Sequence, residues 1–289
     1  MKKNALFPIV IIILLFLSAC HNYNAEQKQT TQTTETTSAE KVANVHKSTV
    51  PTLLIHGYQG TVNSYHSMII RMQESQAAQK EMTMTVQSDG SVEASGQLSG
   101  KKNNPLIQVV FKDNINNEWN QASWLKNVLS YLKNNEKVDQ VNLVGHSMGG
   151  VDIYRYLGTY GNESELPQVN KYVAIGAPFN DFTDPDDGQT IDSVLQDGPS
   201  LPSSRYQDFE AMRTEISPEL PVLLIAGQLD KNTLTDGTVP TTSALAIYPL
   251  LKSQDNNIGY SIIYGENAQH SMLHENPEVD HLIENFLWQ

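Results

Sequence analysis

The stretch Val141-Asn142-Leu143-Val144-Gly145-His146-Ser147-Met148-Gly149-Gly150-Val151-Asp152-Ile153-Tyr154 decides the fold. Its first four residues are a short β-rich apolar run, and Val151, Ile153, Tyr154 and Leu157 then recur at helical spacing. The chain therefore turns from strand to helix across Gly145-His146-Ser147-Met148-Gly149, a G-x-S-x-G pattern. A serine on so sharp a turn is expected at a strained, positive φ. The flanking glycines let neighbouring chain pass without a Cβ clash. The hydroxyl is projected from the strand's carboxyl end, beside a helix amino terminus whose dipole favours developing negative charge. Ser147 is thus the candidate nucleophile.

Outward from this turn, the same alternation fills the chain. Short apolar runs at 52–55, 106–111, 141–144, 172–175, 222–226 and 260–264 are separated by helical patterns. Ala122, Leu125, Leu129 and Leu132 form one such pattern, and Val279, Leu282, Ile283 and Phe286 form another. This is the signature of a mostly parallel sheet with helices on both faces. One segment departs from it. Met82, Met84 and Val86 alternate with polar residues, Ser88-Asp89-Gly90 interrupts, and Val92 and Ala94 alternate again. A three-residue loop with a left-handed Gly90 sets Val86 opposite Val92 and Met84 opposite Ala94, so an inserted β-hairpin is expected there. The region of about 177–220, rich in Asp, Pro and Ser with scattered Phe179, Phe182, Leu195, Tyr206 and Phe209, is expected to form a small cap over the sheet's end.

The 289 residues are 39% hydrophobic and 18% charged, enough for one sizeable core and too apolar for wholesale disorder. Nineteen Lys and Arg against 32 Asp and Glu give a net charge of −13, which argues against a nucleic-acid partner. The single cysteine, Cys20, allows no internal disulfide and no thiolate metal site. Lys2 and Lys3 precede an apolar run over 5–17, interrupted only by Pro8. That is shorter than the roughly 20 residues of a membrane-spanning helix and suits a secretory signal peptide. Its end, Leu17-Ser18-Ala19-Cys20, resembles the lipobox of bacterial lipoproteins, which implies cleavage before Cys20 and lipidation of its thiol. The polar stretch that follows has little to bury and reads as a flexible spacer. The expected organisation is a lipoprotein signal peptide at 1–19, a lipidated cysteine and tether at 20–48, and one α/β domain at 49–289. This places the protein on the outer face of the cell membrane, held by acyl chains.

The domain resembles the α/β-hydrolases, and within them the cell surface hydrolases of Gram-positive bacteria. The matching stretches are Leu54-Ile55-His56-Gly57-Tyr58, Trp124-Leu125-Lys126, the serine turn, Asp236-Gly237-Thr238-Val239-Pro240, and Gln269-His270-Ser271 followed by Leu273-His274-Glu275-Asn276. The resemblance implies the α/β-hydrolase fold and a chain order of serine, acid, histidine. His21 and His46 lie in the tether, His56, His66 and His146 precede the serine, and His281 lies within the C-terminal helical pattern. His270 and His274 remain, and the resemblance favours His270 as base, leaving His274 to capping or support. Two aspartates follow the 222–226 strand, Asp230 and Asp236. The resemblance points to Asp236, with Asp230 as the competing candidate. It also implies an oxyanion hole made of the Met148 N–H and a second N–H after the first strand, assigned to Tyr58 with Gln59 as fallback. His56 is expected to order that loop.

The activity implied is hydrolysis of a small carboxylic ester through an acyl-enzyme. Amidase, peptidase or thioesterase chemistry on the same triad is the near alternative, and a binding protein that keeps the fold without turnover is the distant one. Asp181, Asp184, Asp186 and Asp187 invite a calcium reading, but their spacing fails the EF-hand pattern and reads as a solvated acidic turn. Neither a zinc motif nor a phosphate or dinucleotide loop is present, and no metal or cofactor is implied. Trp119, Trp124 and Trp288 are expected to pack against the core.

Overall fold

A computed structural model of the chain describes residues 45–183 and 188–289. In order along the chain the elements are β1 (Thr52–Ile55), α1 (His66–Glu74), β2 (Gln79–Val86), β3 (Val92–Gly96), β4 (Pro105–Phe111), α2 (Glu118–Asn135), β5 (Gln140–His146) and α3 (Met148–Tyr160). Then come β6 (Gln168–Ile175), β7 (Phe179–Phe182), α4 (Ile191–Asp197), α5 (Ser204–Met212), β8 (Val222–Gln228), α6 (Thr241–Ala244), α7 (Tyr248–Lys252), β9 (Ile258–Tyr264) and α8 (Pro277–Trp288).

Eight of the strands form one sheet in the order β3-β2-β4-β1-β5-β6-β8-β9. Every neighbouring pair is parallel except β2 with β3. Parallel pairing puts the carboxyl ends of β1, β5, β6, β8 and β9 along one edge, so the loops after them face a common crevice. The central strands β1, β4 and β8 are buried on both faces along nearly their whole length because both faces are covered. Leu53 and Ile55 of β1 join a buried cluster with Leu125, Val128 and Tyr154 of α2 and α3, whereas Leu54 joins Met68, Met72, Val279 and Ile283 of α1 and α8 on the other face. Period-two alternation thus splits one four-residue strand between two cores.

The hairpin has the expected register. Val86 pairs with Val92 and Met84 with Ala94. Gly90 sits at φ +84°, and the Gln87 N–H donates to the Ser91 carbonyl at 2.9 Å to close the three-residue loop. The hairpin extends the sheet instead of standing apart from it, since β2 runs parallel to β4.

Between β6 and β8 the chain packs Phe179 and Phe209 onto Tyr154 of α3, with ring centroids 5.9 and 4.5 Å away. Phe182, by contrast, is exposed. Trp119 corrects the packing expectation for the three tryptophans. Trp124 and Trp288 are buried, but Trp119 is 57% exposed and lies over the Arg155 guanidinium at 4.5 Å. It stands in the first turn of α2, where its ring stacks on that cation. Asp184, Asp186 and Asp187 of the acidic turn, the apolar run at 5–17 and Cys20 lie outside the described residues. Among the described residues no helix is long and apolar enough to cross a membrane.

Candidate active site

Ser147 joins β5 to α3 at φ +54° and ψ −124°, in the positive-φ region that non-glycine residues avoid. Close packing holds it there. Its N–H donates to the Ile175 carbonyl at the end of β6 at 2.8 Å, and its own carbonyl accepts from the Gly150 N–H at 3.0 Å. A Cβ on Gly145 would lie 2.4 Å from the Gly149 carbonyl carbon, and one on Gly149 would lie 2.3 Å from the Ile55 carbonyl oxygen. The motif's two glycines are therefore the contact between turn, helix and first strand. The serine side chain does not cap α3. Its hydroxyl is free to face the crevice.

His270 opens the turn that follows β9. Its Nε2 lies 2.9 Å from Ser147 Oγ, and its Nδ1 lies 2.7 Å from Asp236 Oδ2. A carboxylate only accepts, so Nδ1 carries the proton and Nε2 presents a lone pair to the serine hydroxyl. Asp236, 1% exposed, is fully occupied. Its Oδ1 accepts the Thr238 and Val239 N–H groups at 2.9 and 2.6 Å, and its carbonyl accepts the His270 N–H at 2.9 Å. Gly176, at φ +55°, gives this pair room, since a Cβ there would meet Asp236 Oδ2 and His270 Nδ1 at 3.3 Å.

The structure thus joins Ser147, His270 and Asp236 by hydrogen bonds 123 and 34 residues apart in sequence. It does not bring Asp230 to them. That carboxylate is exposed and accepts from the Asn232 N–H at 2.7 Å and from the Thr233 N–H and hydroxyl, bonds that hold its pKa below the usual range. His274 bonds Glu275 at 3.0 Å and packs against the ring of His146.

Around the first strand, His56 accepts the Phe111 N–H at Nε2 (3.0 Å) and donates from Nδ1 to the Gly57 carbonyl (2.8 Å). Burial pushes its pKa down, so it stays neutral and ties the loop to β4. A Cβ on Gly57 would lie 2.7 Å from Ser147 Cβ, so this loop runs directly against the serine. The Gln59 N–H is committed to the Asn114 carbonyl at 2.8 Å. Among the described residues the Tyr58 and Met148 N–H groups have no acceptor. The fallback donor is therefore occupied and the two first-named donors are open.

One site residue was not legible in the motif. His146, a variable position of G-x-S-x-G, reaches the His270 carbonyl with its Nε2 at 2.9 Å. Only its place beside the serine hints at this.

Residues 39–289 match the profile of a family described as alpha/beta hydrolase of unknown function (DUF915). Among solved structures, the lin2722 gene product of Listeria innocua is 33% identical, with 82% of this chain and 93% of that one aligned and a TM-score of 0.76. A Lactobacillus plantarum protein that carries the name cell surface hydrolase is 23% identical over 81% of this chain and 88% of its own, with a TM-score of 0.63, a likeness of fold. No curated protein matches the chain.

Proposed function

The chain belongs to the family of α/β hydrolases of unknown function, and from that premise we propose that it is an extracytoplasmic serine hydrolase that cleaves carboxylic esters through an acyl-enzyme. One observation carries the reading: a single imidazole bonded on one side to Ser147 Oγ at 2.9 Å and on the other to a buried carboxylate at 2.7 Å. As Ser147 Oγ attacks the ester carbonyl carbon, its proton passes to His270 Nε2. Asp236 holds the ring and stabilises the imidazolium. The Tyr58 and Met148 N–H groups receive the oxyanion, a contribution of roughly 3 kcal/mol each in such holes. Collapse expels the alcohol, which takes the proton from His270. Water then loses a proton to His270 and attacks the acyl carbon, and as the second intermediate collapses Ser147 Oγ leaves and takes that proton back from His270, releasing the acid.

Exposed apolar side chains in the segments that follow β1, β4, β6 and β9, Tyr58, Ile115, Trp119, Phe182 and Met272, support an acyl substrate with apolar bulk. Thioesters and amides pass through the same tetrahedral intermediate and belong in the test as competing substrates.

With p-nitrophenyl esters, Ser147→Ala is expected to lower kcat by on the order of 10⁴-fold or more, to abolish fluorophosphonate labelling and to leave the melting temperature unchanged. Equal turnover in variant and wild type overturns the reading, and a wild type that neither turns over nor labels points to a binding protein. The proposed location rests on Leu17-Ser18-Ala19-Cys20. The protein is expected to incorporate labelled fatty acid that the Cys20→Ser variant does not, and equal labelling of the two would refute lipidation there.

A further inference from the structure

The proposed ester chemistry leaves one imidazole beside the nucleophile without a task. His146 ends β5 and is 6% exposed. Its ring lies between two others, tilted against His270 at 4.7 Å between centroids and edge-on to His274 at 4.6 Å. Its Nε2 is 2.9 Å from the His270 carbonyl oxygen. A carbonyl oxygen only accepts, so this nitrogen carries the proton and donates it. Burial, with the imidazoles of His270 and His274 beside it, pushes the His146 pKa well below the ordinary histidine range, which agrees with a neutral ring.

We propose that His146 is a positioning residue whose Nε2–H, by holding the His270 carbonyl, fixes the base against the serine. The proposal rests on the serine-hydrolase reading above. His270 has three attachments besides Ser147 itself. Its N–H and its Nδ1 both go to Asp236, at 2.9 and 2.7 Å, and so tie it to the loop after β8. Its carbonyl goes to His146, on the strand that carries the nucleophile. Because His146 and Ser147 are consecutive, the last bond links the backbone of the base to that of the serine. Without it, the loops after β8 and β9 can drift as a unit relative to β5 while the His270–Asp236 pair stays intact. A displacement of about 1 Å between reacting groups can cost on the order of 100-fold in rate. The role requires an N–H at one place and no charge.

The test compares two substitutions. His146→Leu fills similar space without a donor, and His146→Gln can set an amide N–H near the place of the imidazole Nε2. With a p-nitrophenyl ester, His146→Leu is expected to lower kcat by roughly 10- to 100-fold with KM within about twofold, and His146→Gln to recover most of that loss. Wild-type kcat in His146→Leu overturns the proposal, and so does a His146→Gln enzyme as slow as His146→Leu, which would assign the effect to the ring's packing. Should either variant fail to fold, ¹⁵N NMR of the imidazoles in the unaltered protein at pH 7 reads the same bond. His146 protonated at Nε2 and bare at Nδ1 supports it, and the opposite tautomer overturns it. Absence of turnover in the wild type counts against the ester reading. A working wild type beside a fully active His146→Leu counts against His146 alone.

Discussion

At the scale of the residue, the tightest constraint on Ser147 comes from a side chain that is not there. A Cβ built on Gly57 falls 2.7 Å from Ser147 Cβ and 3.0 Å from the His146 carbonyl oxygen. Both atoms are fixed by backbone, so neither can yield without moving the turn. Gly57→Ala would therefore displace the Tyr58 N–H relative to the serine. On the proposed reading the expected loss in kcat/KM is on the order of 10²-fold or more, the cost of losing one oxyanion donor. Steady-state ester hydrolysis beside a thermal melt checks it, and an unchanged kcat/KM would exclude this loop as a donor. The serine turn was legible in sequence because its glycines sit at fixed offsets between an apolar run and a helical pattern, whereas His270 was set apart from His274 by family resemblance. The choice between Asp236 and Asp230 was less legible, since both follow one strand and both accept from the N–H groups two and three residues on. They separate only in space, where Asp236 is buried beneath His270 and Asp230 is exposed.

At the scale of the element, a buried carboxylate joins three helices. Glu118, 1% exposed in the first turn of α2, accepts from Arg155 Nε of α3 at 2.9 Å and from Arg205 Nε of α5 at 2.6 Å. Arg205 also donates to the Pro178 carbonyl at 3.0 Å and pairs with Asp181 of β7. The segment between β6 and β8 is thereby pinned to the helix that follows the nucleophile. Glu118→Ala leaves the buried Arg155 without its main acceptor, and the expected loss is about 3–5 kcal/mol. Asp139→Ala breaks the Lys133–Asp139 pair, whose aspartate is 80% exposed, and should cost less than about 1 kcal/mol. Urea unfolding of both variants checks the contrast, and equal losses would mean that Glu118 is not the anchor. No reading of periodicity finds such a hub. Glu118 lies 37 residues from one partner and 87 from the other, and a glutamate at a helix start resembles an ordinary first-turn acid. The hairpin was legible because its signal is local: alternation on both arms and one glycine between them.

At the scale of the whole molecule, the order of the strands was beyond the sequence, because apolar runs reveal that a sheet exists and not which runs are neighbours. What the finished fold adds is a set of titratable groups in two cores, and their signs oppose one another. His56 and His146 are held neutral by burial, their pKa values lowered. Below about pH 6.5 the unfolded chain takes up protons at both that the native protein refuses. Stability contributed above that pH is therefore lost as pH falls, by up to about 1.4 kcal/mol per pH unit for each group. Asp152 of α3 runs the other way. It is 0% exposed, both carboxyl oxygens lack a partner among the described residues, and burial, aided by Glu118 and opposed by Arg205 and Arg155, raises its pKa well above the usual range. Above about pH 3.8 the unfolded chain releases this proton and the native protein keeps it, so stability is lost as pH rises towards the native value. Asp152→Asn removes that second dependence and leaves the first. Its urea midpoint relative to wild type is expected to climb as pH rises above about 3.8, with the acid-side loss from the histidines unchanged in both proteins. A midpoint difference that stays level as pH rises above about 5 would mean that Asp152 is ionised in the native state, with Arg155 or Arg205 outweighing its burial.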